Sequence, residues 1–154
     1  MVGTIERTDG SSAGIRQGAI GGALAGTVMA MVAMLYTLVA QGDLLAPLKQ
    51  MGATFFAADP ASAASLLAGM MLHVMTAIIL GVVFAIVARG RLDGAGPLVV
   101  GGMVFIAVEW AAASFLVLPA IDKPLLTTFA SAGGVVAHAM YGVVLGLWLA
   151  GAAR

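Results

Sequence analysis

Four long stretches of the chain carry a single charged residue between them, Glu109, whereas the other charged side chains cluster between and before these stretches. Each stretch is apolar over about 20 residues, which is the length that a helix needs to cross the hydrocarbon core of a bilayer. The pattern therefore predicts four membrane-spanning helices, at 18–39, 66–88, 98–118 and 133–153.

Composition supports the same class of protein. Of the residues, 62% are hydrophobic and 9% are charged, which is too apolar for the surface of a water-soluble domain. The formal net charge is zero, so there is no electrostatic reason to expect nucleic acid as a partner. The chain has no cysteine, which excludes disulfides, thiolate metal sites and cysteine nucleophiles. We therefore expect an integral membrane protein that is surrounded by the lipid bilayer.

The same series of residues occurs twice, 65 positions apart, each time in steps of four along a predicted span. The first series is Gly69, His73, Ala77, Gly81, Ala85 and Arg89, and the second is Gly134, His138, Gly142, Gly146, Ala150 and Arg154. This recurrence predicts two tandem two-helix repeats in parallel orientation, at 18–90 and 96–154, after a polar tail at 1–17. The predicted fold is an all-α integral membrane four-helix bundle.

Basic residues are unequally divided between the two sides of this topology. One side holds Arg7, Arg16, Arg89, Arg91 and Arg154, and the other holds Lys49 and Lys123. The positive-inside rule therefore predicts that the tail and both termini are cytoplasmic.

The connections between the spans also carry a pattern. Within the first outer loop, the segment 44–56 has apolar residues at helical spacing, which predicts a short helix lying at the membrane interface. The link at 90–97 is short and rich in glycine, so we expect the second and third spans to be antiparallel neighbours.

Three ionisable residues fall within the predicted spans: His73, His138 and Glu109. At 1.5 Å of rise per residue, both histidines lie roughly 8 to 11 Å below the outer surface, and Glu109 lies near the bilayer midplane. A charged carboxylate is costly at that depth, so we expect Glu109 either to face the bundle and pair with a histidine or to be protonated and hydrogen-bonded.

Several interpretations of this group remain open. The imidazoles and Glu109 could hydrogen-bond across helices and fix the register of the bundle. Alternatively, His73 and His138 could be the axial ligands of one haem b, with Gly69 and Gly134 allowing a porphyrin to approach the helix backbones. A metal site built from His73, His138 and Glu109, or a proton path through the same residues, are further possibilities.

Short motifs in the spans resemble those of a group of small, uncharacterised four-helix membrane proteins of bacteria and archaea. They comprise a Gly/Ala-rich first helix with Met29, then His73 with Gly81, then Trp110 before Pro119, and finally His138-Ala-Met-Tyr141-Gly142. The resemblance implies a four-helix fold with two internal two-helix repeats, and a multi-pass location in a bacterial inner membrane. It implies no activity.

The function predicted from the sequence is a non-catalytic accessory subunit of a larger membrane complex, of which respiratory or photosynthetic electron transfer is the expected class. The chain has no Gly-rich phosphate loop, no serine with a plausible base and no paired carboxylates, so no enzymatic activity is predicted. The alternative is a membrane electron carrier that binds haem b through two histidines. A small proton-linked transporter is the third hypothesis, because Glu109 lies within a span.

Overall fold

The computed structural model describes residues 6–56, 59–121 and 123–152, with backbone only at 6–11, 123 and 124. Seven α-helices follow one another in this part of the chain, and no strand occurs in it. They are α1 (Glu6–Gln41), α2 (Ala46–Phe56), α3 (Ala63–Ala88), α4 (Ala95–Ala112), α5 (Leu118–Ile121), α6 (Lys123–Phe129) and α7 (Ala132–Ala152).

Four continuous helical segments are long and apolar enough to cross a membrane: Ser12–Gln41, Ala63–Ala88, Ala95–Ile121 and Ala132–Ala152. They match the four stretches chosen from the sequence, which confirms the all-helical class and the number of candidate spans. Many of their large apolar side chains point outwards, as a lipid-facing surface requires. Four such segments indicate a multi-pass membrane protein.

The first helix begins earlier than the sequence predicted. A polar tail was expected over 1–17, yet α1 begins at Glu6 and continues without interruption into the first span. Extending an existing helix adds one hydrogen bond for each residue fixed, so a polar segment can remain helical once the apolar span has nucleated it. Residues 1–5 of the tail and Arg154 lie outside the described residues.

Glycines set the packing of the long helices. α1 is antiparallel to α3, because a Cβ atom on Gly18 would lie 2.8 Å from the Gly81 carbonyl oxygen, and one on Gly26 would meet Ala77. α4 is antiparallel to α7 in the same way, and a Cβ atom on Gly142 would lie 2.7 Å from the Gly102 carbonyl oxygen. Lipid provides no hydrophobic drive for association, so this backbone proximity supplies van der Waals attraction between the helices.

The arrangement of helices differs from the expectation for the link at 90–97. α3 packs chiefly against α1 and α2, and α4 packs chiefly against α7, while α1 also contacts α7. Contact between α3 and α4 includes the tilted ring pair Phe84 and Phe105, with centroids 5.4 Å apart. A short link fixes only the ends of two helices, and the glycine surfaces of α1 and α7 are closer-fitting partners along the rest of their length.

The third span is interrupted near its end. The segment Ala113–Val117 is π-helical, and the Leu118 N–H donates to the Ala113 carbonyl, five residues earlier. Pro119 explains the change, because proline lacks an N–H and its ring clashes with the carbonyl four residues before it. α5 and α6 then return the chain towards the start of α7.

Two short helices, α2 and α6, each pack against a long helix at a glycine. α2 contacts α3, where a Cβ atom on Gly69 would collide with the Leu48 carbonyl oxygen. The end of α6 lies against α7, where a Cβ atom on Gly134 would collide with the Phe129 carbonyl oxygen. The predicted helix within 44–56 is thus present as α2, and it is partly buried against the bundle rather than separate from it.

Candidate functional site

Two adjoining cavities lie inside the bundle, and both predicted histidines line both of them. The first, of about 70 Å³, lies between α1, α2, α6 and α7, and the second, of about 60 Å³, adds Glu109 and Tyr141 to its lining. Shared lining residues show that the cavities are neighbours: Met29, Met51, His73, Phe129 and His138. The three ionisable residues singled out from the sequence are therefore brought to one place.

Glu109 of α4 faces His138 of α7. The Glu109 Oε2 atom lies 4.0 Å from His138 Nε2, and the side chains are 28% and 6% exposed, respectively. This distance is within reach of an ion pair but too long for a direct hydrogen bond. Space therefore remains for a proton-bearing group to connect the two atoms.

Both histidines donate a hydrogen bond to a main-chain carbonyl. His73 Nε2 lies 2.9 Å from the Gly26 carbonyl oxygen on α1, and His138 Nδ1 lies 2.7 Å from the Gly134 carbonyl oxygen on its own helix. A carbonyl oxygen can only accept, so the bonded nitrogen of each ring carries the hydrogen. In the neutral rings, His73 Nδ1 and His138 Nε2 are then acceptors.

Tyr141 also lines the second cavity, although it was not predicted as a site residue. It lies three residues after His138, on the same face of α7, and its buried hydroxyl donates to the Ala77 carbonyl of α3 over 2.6 Å. The sequence does contain a signal for Tyr141, because it is a tyrosine within a predicted span and lies one helical turn from a histidine.

Residues of α2 and α6 also line the first cavity, and none of them was predicted as a site residue. The Thr128 hydroxyl of α6 donates to Gln50 Oε1 of α2 over 2.8 Å, which joins the two short helices. The Phe129 ring stands edge-on to the His138 ring, with centroids 4.5 Å apart. These contacts link residues far apart in the chain, so no local pattern could reveal them.

The residues present do not fit a haem between the two histidines. The space beside Gly69 and Gly134, which a porphyrin would require, holds the backbones of α2 and α6. Moreover, His73 Nε2 is already bonded to Gly26, and the cavities of 60 to 70 Å³ are far smaller than a macrocycle with its substituents. The two glycines instead allow the short helices to approach the long ones.

The predicted metal ligands are not arranged as a metal site either. Across 6–56, 59–121 and 123–152, no group of three or more His, Cys, Asp or Glu side chains is placed to hold a metal ion. His73, His138 and Glu109 line one cavity, but the hydrogen bonds to Gly26 and Gly134 orient one nitrogen of each ring towards the backbone.

No family model, no curated protein and no solved structure matches this chain. The resemblance to small four-helix membrane proteins therefore stays a prediction from the sequence motifs.

Proposed function

We propose that the protein is a non-catalytic accessory subunit of a larger membrane complex. One observation carries this proposal: polar side chains inside the bundle donate hydrogen bonds to main-chain carbonyls of other helices and so hold the helices together. His73 joins α3 to α1, Tyr141 joins α7 to α3, and the Trp148 indole joins α7 to α1 through the Gln17 carbonyl. Interhelical hydrogen bonds of this kind fix the register of a membrane bundle.

Close backbone contact supports a rigid scaffold. Glycines bring α1 onto α3 and α4 onto α7, and any large rearrangement would separate these surfaces and break the carbonyl hydrogen bonds. Packed helices of this kind resist continuous deformation. A rigid bundle suits a protein that supports or spaces other subunits.

The outward faces supply the surface for such subunits or for lipid. On α4 and the π-helical turn that follows it, large apolar side chains are 40–75% exposed: Met103, Val104, Val108, Phe115 and Leu116. The proposal includes a bacterial inner membrane, cytoplasmic termini and two tandem two-helix repeats in parallel orientation, as the charges and the recurring residues predict. The proposed class of complex is respiratory or photosynthetic electron transfer.

The test is purification from native membranes with the lipids retained, followed by native mass spectrometry. We expect discrete assemblies in which this chain occurs with other membrane subunits at fixed stoichiometry. An unrelated four-span protein of similar abundance, carrying the same tag, is the control for non-specific recovery. Recovery of the chain alone, or with the same proteins as the control, would contradict the proposal.

A small proton-linked transporter is the second candidate, and the facing pair of Glu109 and His138 at a cavity favours it. Intramembrane carboxylates and imidazoles at such sites can carry protons. Proton flux into liposomes that contain the purified chain would support this function if Glu109→Gln abolished the flux. Equal proton flux in protein-free liposomes would contradict the transporter function.

A further inference from the structure

Most of the polar groups around the two cavities already donate their hydrogen atoms, although the Tyr36 and Thr76 hydroxyls line the first and second cavity without a hydrogen-bond acceptor among the described residues. Tyr141 donates to the Ala77 carbonyl, Thr37 to the Met34 carbonyl, and Ser131 to the Thr128 carbonyl. Thr128 donates to Gln50, and each histidine donates to a glycine carbonyl. Most donors of the lining are therefore occupied, whereas several of its acceptors receive no hydrogen bond from the part of the chain that the structure describes.

Three of these acceptors line the deeper cavity, near one another. His138 Nε2 is unprotonated in the neutral ring, Glu109 adds carboxylate oxygens 4.0 Å away, and the Tyr141 oxygen retains lone pairs after donating to Ala77. His73 lines the same cavity and has a second, unprotonated nitrogen. A carboxylate within an apolar bundle also requires a positive partner or a proton.

We infer that this cavity binds a small ammonium-type cation, either ammonium itself or methylammonium. Such a ligand supplies N–H donors to these acceptors and a positive charge that balances an ionised Glu109. Apolar and aromatic residues, among them Phe129, complete the lining. The cavity volumes of 60 to 70 Å³ hold a few water-sized groups, which is enough for either cation.

The binding site does not depend on whether the protein is a subunit of a complex, because every residue involved belongs to this chain. It also requires no transport, only occupancy. If native mass spectrometry finds no partner subunits, this inference is therefore unaffected. If the protein does not bind ammonium, the proposed accessory role is equally unaffected.

The experiment is isothermal titration calorimetry, in which the purified, lipid-embedded protein is titrated with ammonium chloride and, separately, with methylammonium chloride. Potassium chloride is the decisive comparison, because K⁺ has a similar size and charge but no N–H donors. The chain has two histidines, so labelling them with ¹⁵N gives a second readout, in which the imidazole nitrogens change resonance when they accept a hydrogen bond.

Two variants on one helical span complete the design. Glu109→Gln keeps the shape of the side chain but removes its charge, and we expect it to weaken ammonium binding at least tenfold. Ser114→Ala is the matched control, because Ser114 is buried on the same span but lines neither cavity. Helix content and a single size-exclusion peak verify that each variant is folded.

Saturable binding of ammonium and methylammonium, with weaker binding of K⁺, a shift of the imidazole signals and a loss in Glu109→Gln alone, would support the inference. It would be overturned by the absence of saturable binding to the folded wild type, by equal binding of K⁺, or by unchanged affinity in a folded Glu109→Gln. If Glu109→Gln does not fold, Glu109→Met replaces it, because Met removes the charge and the acceptor oxygens at similar volume, and unchanged affinity in that variant would equally overturn the inference.

Discussion

Tyr141 on α7 donates a hydrogen bond to the main-chain carbonyl of Ala77 on α3, with 2.6 Å between the two oxygen atoms. The two helices otherwise pack chiefly against other partners, α3 against α1 and α2, and α7 against α1 and α4. This bond therefore connects the two halves of the chain directly, beside the cavity that holds both histidines.

Tyr141→Phe removes this connection and keeps the buried ring. We expect the free energy of unfolding to fall by about 0.6 kcal/mol, and by no more than about 1.7 kcal/mol, which is the range for interhelical hydrogen bonds in membranes. Unfolding by denaturing detergent, followed by circular dichroism, measures the loss. Tyr36→Phe is the control at the other tyrosine, and a loss as large there would show that the effect is not specific to the bond with Ala77.

Gly142→Ala should separate α7 from α4. The added Cβ atom would lie 2.7 Å from the Gly102 carbonyl oxygen, so the backbones must move apart, and overpacking of this kind costs about 1–3 kcal/mol. Gly151→Ala on the same helix meets no atom within 4 Å, and it should leave stability unchanged or slightly improved. Thermal midpoints of both variants test the pair, and equal midpoints would contradict the assigned helix contact.

Ser114→Ala should stabilise the fold. The Ser114 hydroxyl oxygen is buried and has no hydrogen-bond partner, and an unsatisfied buried polar group costs about 1–3 kcal/mol. Removing it should raise the thermal midpoint, which differential scanning calorimetry in the same detergent would measure. A lowered midpoint would show that the hydroxyl group has a stabilising partner.

The turn before α2 should respond to acid. Lys49 and the Leu45 N–H hydrogen-bond the Asp43 carboxylate, which lowers the pKa of Asp43 below its usual range. A carboxyl whose pKa is lowered by folding adds stability above its ordinary pKa, and this contribution is lost as the pH falls through the lowered value. Hydrogen exchange at α2, expressed relative to the intrinsic exchange rate at the same pH, should therefore become faster at acidic pH.

Asp43→Asn removes the titrating group, so exchange at α2 relative to the intrinsic rate should then be faster at neutral pH and should change less with pH. Lys49→Gln, which removes the hydrogen-bonded cation, should reduce the pH dependence without abolishing it, because the Leu45 N–H remains. If the wild type and Asp43→Asn had the same pH profile, the proposed role of the carboxylate would be incorrect.

The visible absorption spectrum tests the haem alternative directly. Because α2 and α6 fill the space beside Gly69 and Gly134, we expect the protein purified from native membranes to lack a Soret band. The spectra of His73→Gln and His138→Gln should equal that of the wild type. A Soret band lost in either variant would show that the histidines bind a tetrapyrrole in an arrangement different from this one.

The long helices and the shared environment of the two histidines could be predicted from the sequence. Charge-free stretches of about 20 residues indicate candidate spans because backbone groups in lipid must be satisfied within a helix. The matching positions of His73 and His138 likewise indicated that they share an environment, and both line the same cavities. The start of α1 was harder to place, because helix extension does not require apolar residues.

Tertiary structure decided which helices are neighbours and what the glycines contact. The short link at 90–97 did not make α3 and α4 principal partners, since packing along whole helices outweighs a constraint at their ends. Gly69 and Gly134 have the same chemistry whether a porphyrin or a helix lies beside them, and the fold placed α2 and α6 there.

The sequence by itself therefore determined which segments are helical and apolar, because that depends on neighbouring residues along one helix. The partners of Tyr141, His73 and Glu109 lie on other helices, at Ala77, Gly26 and His138. Only the packed bundle decided those contacts, because they depend on the rotation and depth of each helix relative to the others, which local periodicity does not encode.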